Sequence, residues 1–178
     1  MAQLLAREGW TLGVLDLDRE ALESAVTRLR ASGAANVSAY PGDVAGHEFV
    51  AAAVTGFSQA NQGLDVMVNN AGVAVAGAVE ATPVDDWNWI VGINLLGVVW
   101  GCRTVLPVMK RQGSGLIFNI ASSAGFAAAP QMSAYNATKA GVIALSETLA
   151  SELAGTGLQV SCAMPGFFRT HLLDHMRA

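Results

Sequence analysis

The chain has 178 residues, of which 52% are hydrophobic and 13% charged, and a formal net charge of -4. This is the composition of one globular domain with a sizeable core, and it excludes a disordered chain. An acidic balance without a basic run also argues against partners such as nucleic acid or an anionic membrane surface.

Met1 to Glu8 has helical character, with Gly9 as its stop, and it lacks the basic start and long apolar run of a signal peptide. The first apolar run is Trp10 to Leu17, followed by a helical stretch from Arg19 to Ala31 with Leu22, Val26 and Leu29 on one face. Val37 to Tyr40 reads as a strand, His47 to Asn61 as a helix and Leu64 to Val68 as a compact buried strand. A long helix is expected from Val84 to Arg111, then a strand from Leu116 to Ala121, a helix from Ser133 to Ala154 and a strand from Gln159 to Met164. The uncharged run Trp87 to Cys102 is shorter than the roughly 20 residues of a membrane span and carries Asn88 and Asn94, so a buried helix explains it better. Strands alternating with helices of this length predict βαβ units, and apolar strands predict a parallel sheet covered on both faces. The expected fold is a single α/β domain over residues 1–178. Cys102 and Cys162 lie in apolar segments without metal-ligand or disulfide spacing. Two buried free thiols in a reducing cytoplasm are expected.

The segment from Ser122 to Lys139 carries the chemistry. Tyr135 and Lys139 are four apart and share a helix face. A free tyrosine is a sluggish acid or base at neutral pH, and an adjacent ammonium favours its phenolate. Ser122 ends the preceding strand, at the carboxyl edge where such sheets bind ligands. A serine hydroxyl there can hold a substrate oxygen while the tyrosine moves the proton. A tyrosine and a lysine at this spacing occur often by chance, and alone they fit a surface helix pair better.

Five motifs remove that ambiguity. They are Asn69-Asn70-Ala71-Gly72, Asn94 within Ile93-Asn94-Leu95-Leu96-Gly97, Asn119-Ile120-Ala121-Ser122-Ser123-Ala124-Gly125, Tyr135-Asn136-Ala137-Thr138-Lys139, and Pro165-Gly166 followed by Thr170. In this order and spacing the chain resembles the short-chain dehydrogenase/reductase family over essentially its whole length. The resemblance implies a doubly wound Rossmann-type parallel sheet with helices on both faces. It implies a catalytic set of Asn94, Ser122, Tyr135 and Lys139. Tyr135 is the general acid/base, Ser122 orients the substrate oxygen, and Lys139 lowers the tyrosine pKa and binds the nicotinamide ribose. Asn94 interrupts its helix and holds a water linking Lys139 to solvent. Ser123 is the rival to Ser122; Asn94 as a core amide and Asn70 as a turn residue are the structural alternatives.

The same resemblance implies NAD as cofactor. Asp16, at the end of the first strand, accepts from the adenosine ribose hydroxyls and repels the extra phosphate of NADP, and position 17 is Leu17, not arginine. Asp16 could instead cap the following helix, although Asp18 is closer to its start. Asp43 and Val44 are expected at the adenine, Asn70, Ala71 and Gly72 beside its ribose, and Tyr135, Lys139, Pro165, Gly166, Phe167 and Thr170 along the rest of the cofactor. Ala124, Phe126, Gln131, Met132, Phe167 and Phe168 form an apolar substrate pocket. The implied reaction moves a hydride between NAD(H) and a small secondary alcohol or ketone, in a cytoplasmic homodimer or homotetramer. A 3-oxoacyl carrier-protein reductase is the rival activity. His171 and His175 are four apart, but no third ligand is evident and no metal is expected. The family's Thr-Gly-x-x-x-Gly-x-Gly loop and its strand would precede Met1 and do not occur in these 178 residues; the family also continues past Ala178. The chain is therefore expected to be a fragment or a truncated protein, and an inactive subunit partner is the alternative function.

Overall fold

The computed structural model describes residues 1–166, 176 and 177. A short helix α1 (Ala2–Arg7) leads into β1 (Thr11–Asp16), α2 (Arg19–Ala31), β2 (Asn36–Pro41), α3 (His47–Ala60) and β3 (Val66–Asn69). After a loop come α4 (Val84–Val91), a π-helical turn (Gly92–Leu96) and α5 (Gly97–Gln112). β4 (Gly115–Ile120), a 3-10 turn (Ser123–Gly125), α6 (Ser133–Glu152) and β5 (Leu158–Ala163) complete the order.

All strand pairings are parallel. β1 pairs with β2, and separately β3 pairs with β4 and β4 with β5. Among the described residues β1 and β3 do not pair with each other. From β1 the chain steps one way to β2; from β3 it steps through β4 to β5. Right-handed crossovers then put α2 on one face and α5 and α6 on the other, which is the doubly wound arrangement.

Each sheet has its own core. Ala6, Leu12, Leu29 and Val37 pack α1 and α2 onto the two-stranded sheet. Val50, Val54, Val98, Cys102, Val105, Met109, Ile117, Val142 and Leu149 form the larger core beneath α3, α5 and α6. The Val84–Gln112 run is long and apolar enough to pass for a membrane span by length and composition. Its buried Ile90, Val98, Cys102, Val105 and Met109 and fully buried Asn94 make it a core helix instead.

Three expectations change. Leu64 is not in a strand: its amide donates to the Gln112 side chain (2.8 Å) and its carbonyl accepts from the same amide group (3.3 Å), so strand pairing begins at Val66. The helix expected over Val84 to Arg111 ends one residue later, at Gln112 against Gly113 in the left-handed region (φ 73°), and its interruption at Asn94, where the ladder widens by one residue, is the one the resemblance implies. Cys102 is buried, but Cys162 is only partly so; both are free thiols.

Candidate active site

The carboxyl ends of β3 and β4 are tied together from inside. Asn69 and Asn119 are register partners, and their side chains bond at 2.8 Å (Asn69 Nδ2 to Asn119 Oδ1). Asn119 Nδ2 donates to Ser146 Oγ of α6 (2.9 Å), whose hydroxyl donates to the Val142 carbonyl (2.7 Å). All three side chains are buried, so each hydrogen bond offsets a desolvation cost that would otherwise stand alone. Gly101 is required here, since a Cβ would run into Asn69 Oδ1 and push α5 off the sheet. The Cys102 thiol lies beside both amides, 3.5 Å from Asn69 Nδ2, and burial pushes it up to about 11, which leaves it protonated and inert. Sequence reading gave this network no role. Its signal was two asparagines at the ends of neighbouring apolar strands, a placement that is costly unless they pair.

Ser122 follows β4 in an extended conformation, and its hydroxyl accepts from the Ala124 amide (3.2 Å). Gly125 then presses on α6: a Cβ there would lie 2.6 Å from Ile143 Cδ1 and 3.0 Å from the Ala140 amide nitrogen. That close approach brings the serine loop against the helix carrying Tyr135 and Lys139. The Ser123 amide donates to the Pro165 carbonyl (2.9 Å), bringing Pro165 and Gly166 to the same edge.

Tyr135 and Lys139 are both buried in α6, with the Lys139 Nζ 5.7 Å from the Tyr135 ring centroid. The ammonium donates to the Ile120 carbonyl at 2.9 Å, one of three donor positions it offers. Burial lowers Lys139 from 10.5 to about 8, against a smaller upward pull from Cys162. Asn94 is 0% exposed and its amide takes both backbone groups of Val73: Oδ1 accepts from Val73 N (2.8 Å) and Nδ2 donates to Val73 O (2.9 Å). Nδ2 also reaches Thr138 Oγ1 at 3.4 Å, which links the π-helical turn to α6. A Cβ on Gly72 would lie 3.5 Å from both Asn94 Oδ1 and Lys139 Nζ, so the glycine keeps that space open.

At the other end of the edge, Asp18 caps α2, accepting from Ala21 N at 2.9 Å. Asp16 is exposed, with Oδ1 accepting from Asp18 N (3.0 Å). The capping duty thus falls on Asp18. Leu17 is 71% exposed, and Asp43 is exposed with its Oδ1 bonded to Ala45 N (2.8 Å), next to half-buried Val44. Asn70 and Ala71 are exposed beyond β3. On the substrate side, Ala124 and Met132 pack in the cluster around Tyr135 with Ala74, Val75, Ile90, Trp87 and Trp89. Phe126 is 69% exposed, and Gln131 is exposed with a left-handed φ of 60°. Phe167, Phe168, Thr170, His171 and His175 lie outside the described residues.

The family model for short chain dehydrogenases matches residues 1–178. The 2-(R)-hydroxypropyl-CoM dehydrogenase of Xanthobacter autotrophicus is 37% identical over 171 residues, which cover 94% of this chain and 68% of that protein. The D-beta-hydroxybutyrate dehydrogenase of Rhizobium meliloti is 41% identical over 112 residues, covering 63% of this chain and 43% of that one. A solved structure of NAD+-bound xylitol dehydrogenase superposes with a TM-score of 0.89 at 35% identity, over 93% of this chain and 64% of its own. A short chain dehydrogenase/reductase from Burkholderia phymatum in complex with NAD gives 0.93 at 35% identity, over 98% and 63%. The chain belongs to the short chain dehydrogenase family. It spans about two thirds of the first of these relatives and less than two thirds of the other three.

Proposed function

We propose that this protein is an NAD-dependent oxidoreductase acting on a small secondary alcohol or ketone, with Tyr135 as general acid/base. The observation that carries the reading is the buried pair on α6, a phenol with an ammonium one turn away. Support for the cofactor comes from the two solved relatives that bind NAD, and from residues that fit it. Asp16 is free of helix capping and stands exposed where the adenosine ribose hydroxyls would bond. Asp43, Val44, Asn70, Ala71 and the open space at Gly72 continue that line toward Lys139, whose ammonium retains donors for the second ribose. Pro165 and Gly166 close it beside the serine loop. NAD, when bound, supplies the hydride acceptor.

In the oxidation direction Ser122 holds the substrate hydroxyl oxygen, and Tyr135 Oη takes its proton as the hydride leaves the carbinol carbon. Lys139 supplies positive charge beside the ring and anchors the tyrosine's helix to β4 through Ile120. Asn94 fixes the loop after β3 through Val73 and braces α6 through Thr138. The wall of Ala74, Val75, Met132 and Ala124 around Tyr135 is apolar and favours an uncharged substrate face. The exposed faces of α5 and α6 are where a second copy of the chain would pack, making a homodimer or homotetramer. Tyr135→Phe in the complete gene product should abolish cyclohexanol oxidation by NAD while leaving NAD affinity within about threefold. A variant keeping about a tenth of the turnover would sink the assignment.

A further inference from the structure

Arg177 joins parts of the fold that are far apart in the chain. Its amide donates to the Ala74 carbonyl (3.2 Å) and its carbonyl accepts from the Ala76 amide (2.9 Å), so it bridges Val75 as a parallel partner. Its guanidinium donates to Asp86 Oδ1 at 2.8 Å, and Cζ lies 3.7 Å from the centre of the Trp89 ring. Asp86 and Trp89 are three apart in α4 and share one face, so the helix offers a carboxylate and an aromatic ring side by side. A planar guanidinium satisfies both at once, its edge on the carboxylate and its face on the ring; a lysine cannot. The Asp86 side chain is only 17% exposed, so the ion pair is partly shielded from solvent.

The strip that Arg177 holds is the wall against Tyr135. Ala74 and Val75 are 1% and 2% exposed and pack in one cluster with Ile90, Ala134 and Tyr135. Asn94 fixes the start of the strip at Val73, and the Gln131 carbonyl fixes its end by accepting from the Gly77 amide (2.8 Å). Gln131 adopts a left-handed φ of 60°, uncommon for a residue with a side chain, to present that carbonyl. The middle of the strip is held by Arg177.

We propose that Arg177 is a positioning residue: clamped by Asp86 and Trp89, it holds the Val73–Gly77 strip against Tyr135 and so sets the substrate side of the site. The proposal rests on the reading of Tyr135 given above, but its test does not need turnover. Tyr40 and Tyr135 are the two tyrosines of the chain, so carbon-labelled tyrosine gives one resonance at the site and one internal control in β2. Arg177→Ala should speed hydrogen exchange at the Ala76 amide by about tenfold or more, and should shift the Tyr135 resonance but not that of Tyr40. Asp86→Asn, which keeps the side chain's shape, should move both readouts in the same direction by less, and serves alone if Arg177→Ala fails to fold. Arg177→Lys should recover only part of the Ala76 protection, since it restores charge without the planar stack. Ala76 exchange unchanged in a folded variant, or faster exchange with the Tyr135 resonance unmoved, would overturn the proposal. An active Tyr135→Phe enzyme would instead overturn the acid/base reading and leave the clamp standing.

Discussion

Lys139 is a buried cation in the proposed site, and its replacement gives a signed, pH-dependent prediction. It is 4% exposed and its value falls from 10.5 to about 8, chiefly through burial. A depression of that size corresponds to roughly 3 kcal/mol of destabilisation while the group is charged in both folded and unfolded chains. Lys139→Met keeps the stem and removes the charge. It also strips the Ile120 carbonyl of its 2.9 Å donor, at about 1–2 kcal/mol. At pH 7 the variant should therefore be the more stable by about 1–2 kcal/mol, and inactive. Below about 8 the lysine is protonated in both states, so the wild-type penalty is complete there. Between about 8 and 10.5 the unfolded chain keeps a proton that the folded chain has released, so wild-type stability rises with pH relative to the variant. By 10.5 the penalty is nearly gone, and the lost hydrogen bond should make the variant the weaker protein. Cys102, pushed up to about 11, costs stability above its ordinary 9.0 in both proteins and cancels in the difference. Urea unfolding of the pair at pH 7, 9 and 10.5 measures this. Parallel stability curves would show that burial does not perturb Lys139.

Gly125→Ala should cost about 1–3 kcal/mol and most of the activity, because the serine loop cannot lift off α6 without moving Ser122 from Tyr135; thermal unfolding and turnover unchanged from wild type would contradict the packing argument. Asp16 should give NAD an advantage over NADP of about tenfold or more in kcat/KM, about 1.4 kcal/mol, and Asp16→Ala should shrink it. Equal kinetics with the two cofactors in the parent enzyme would leave Asp16 with no role in selection.

Much of the fold is legible in the residues. The apolar period of Leu22, Val26 and Leu29, with Asp18 ahead of it, marks α2 at the bounds the structure gives. Asn94 and Lys139 meet at Gly72, and Gly125 sets the serine loop against α6, as the placement of their motifs implies. Properties set by the tertiary fold are not legible. Leu64 opens the segment that reads as a strand, yet a glutamine 48 residues away takes its backbone groups before a strand can. Cys162, like Cys102, lies in an apolar segment, yet only Cys102 is buried in the structure. Arg177 reads as one more surface charge until a contact 91 residues away places it on Asp86 and Trp89. The break at Asn94 is legible through its motif, but its partner is not: that Val73 takes both halves of the amide is set by the tertiary fold.

The central claim is that a hydride passes directly from a substrate carbon while Tyr135 takes the proton. Incubating the complete gene product with NAD and cyclohexanol deuterated at the carbinol carbon, and analysing the reduced nicotinamide by mass spectrometry, tests both halves together. The account predicts one deuterium on the nicotinamide with the wild-type protein and none above background with Tyr135→Phe. Reduced nicotinamide without deuterium, or equal labelling by the variant, would contradict it.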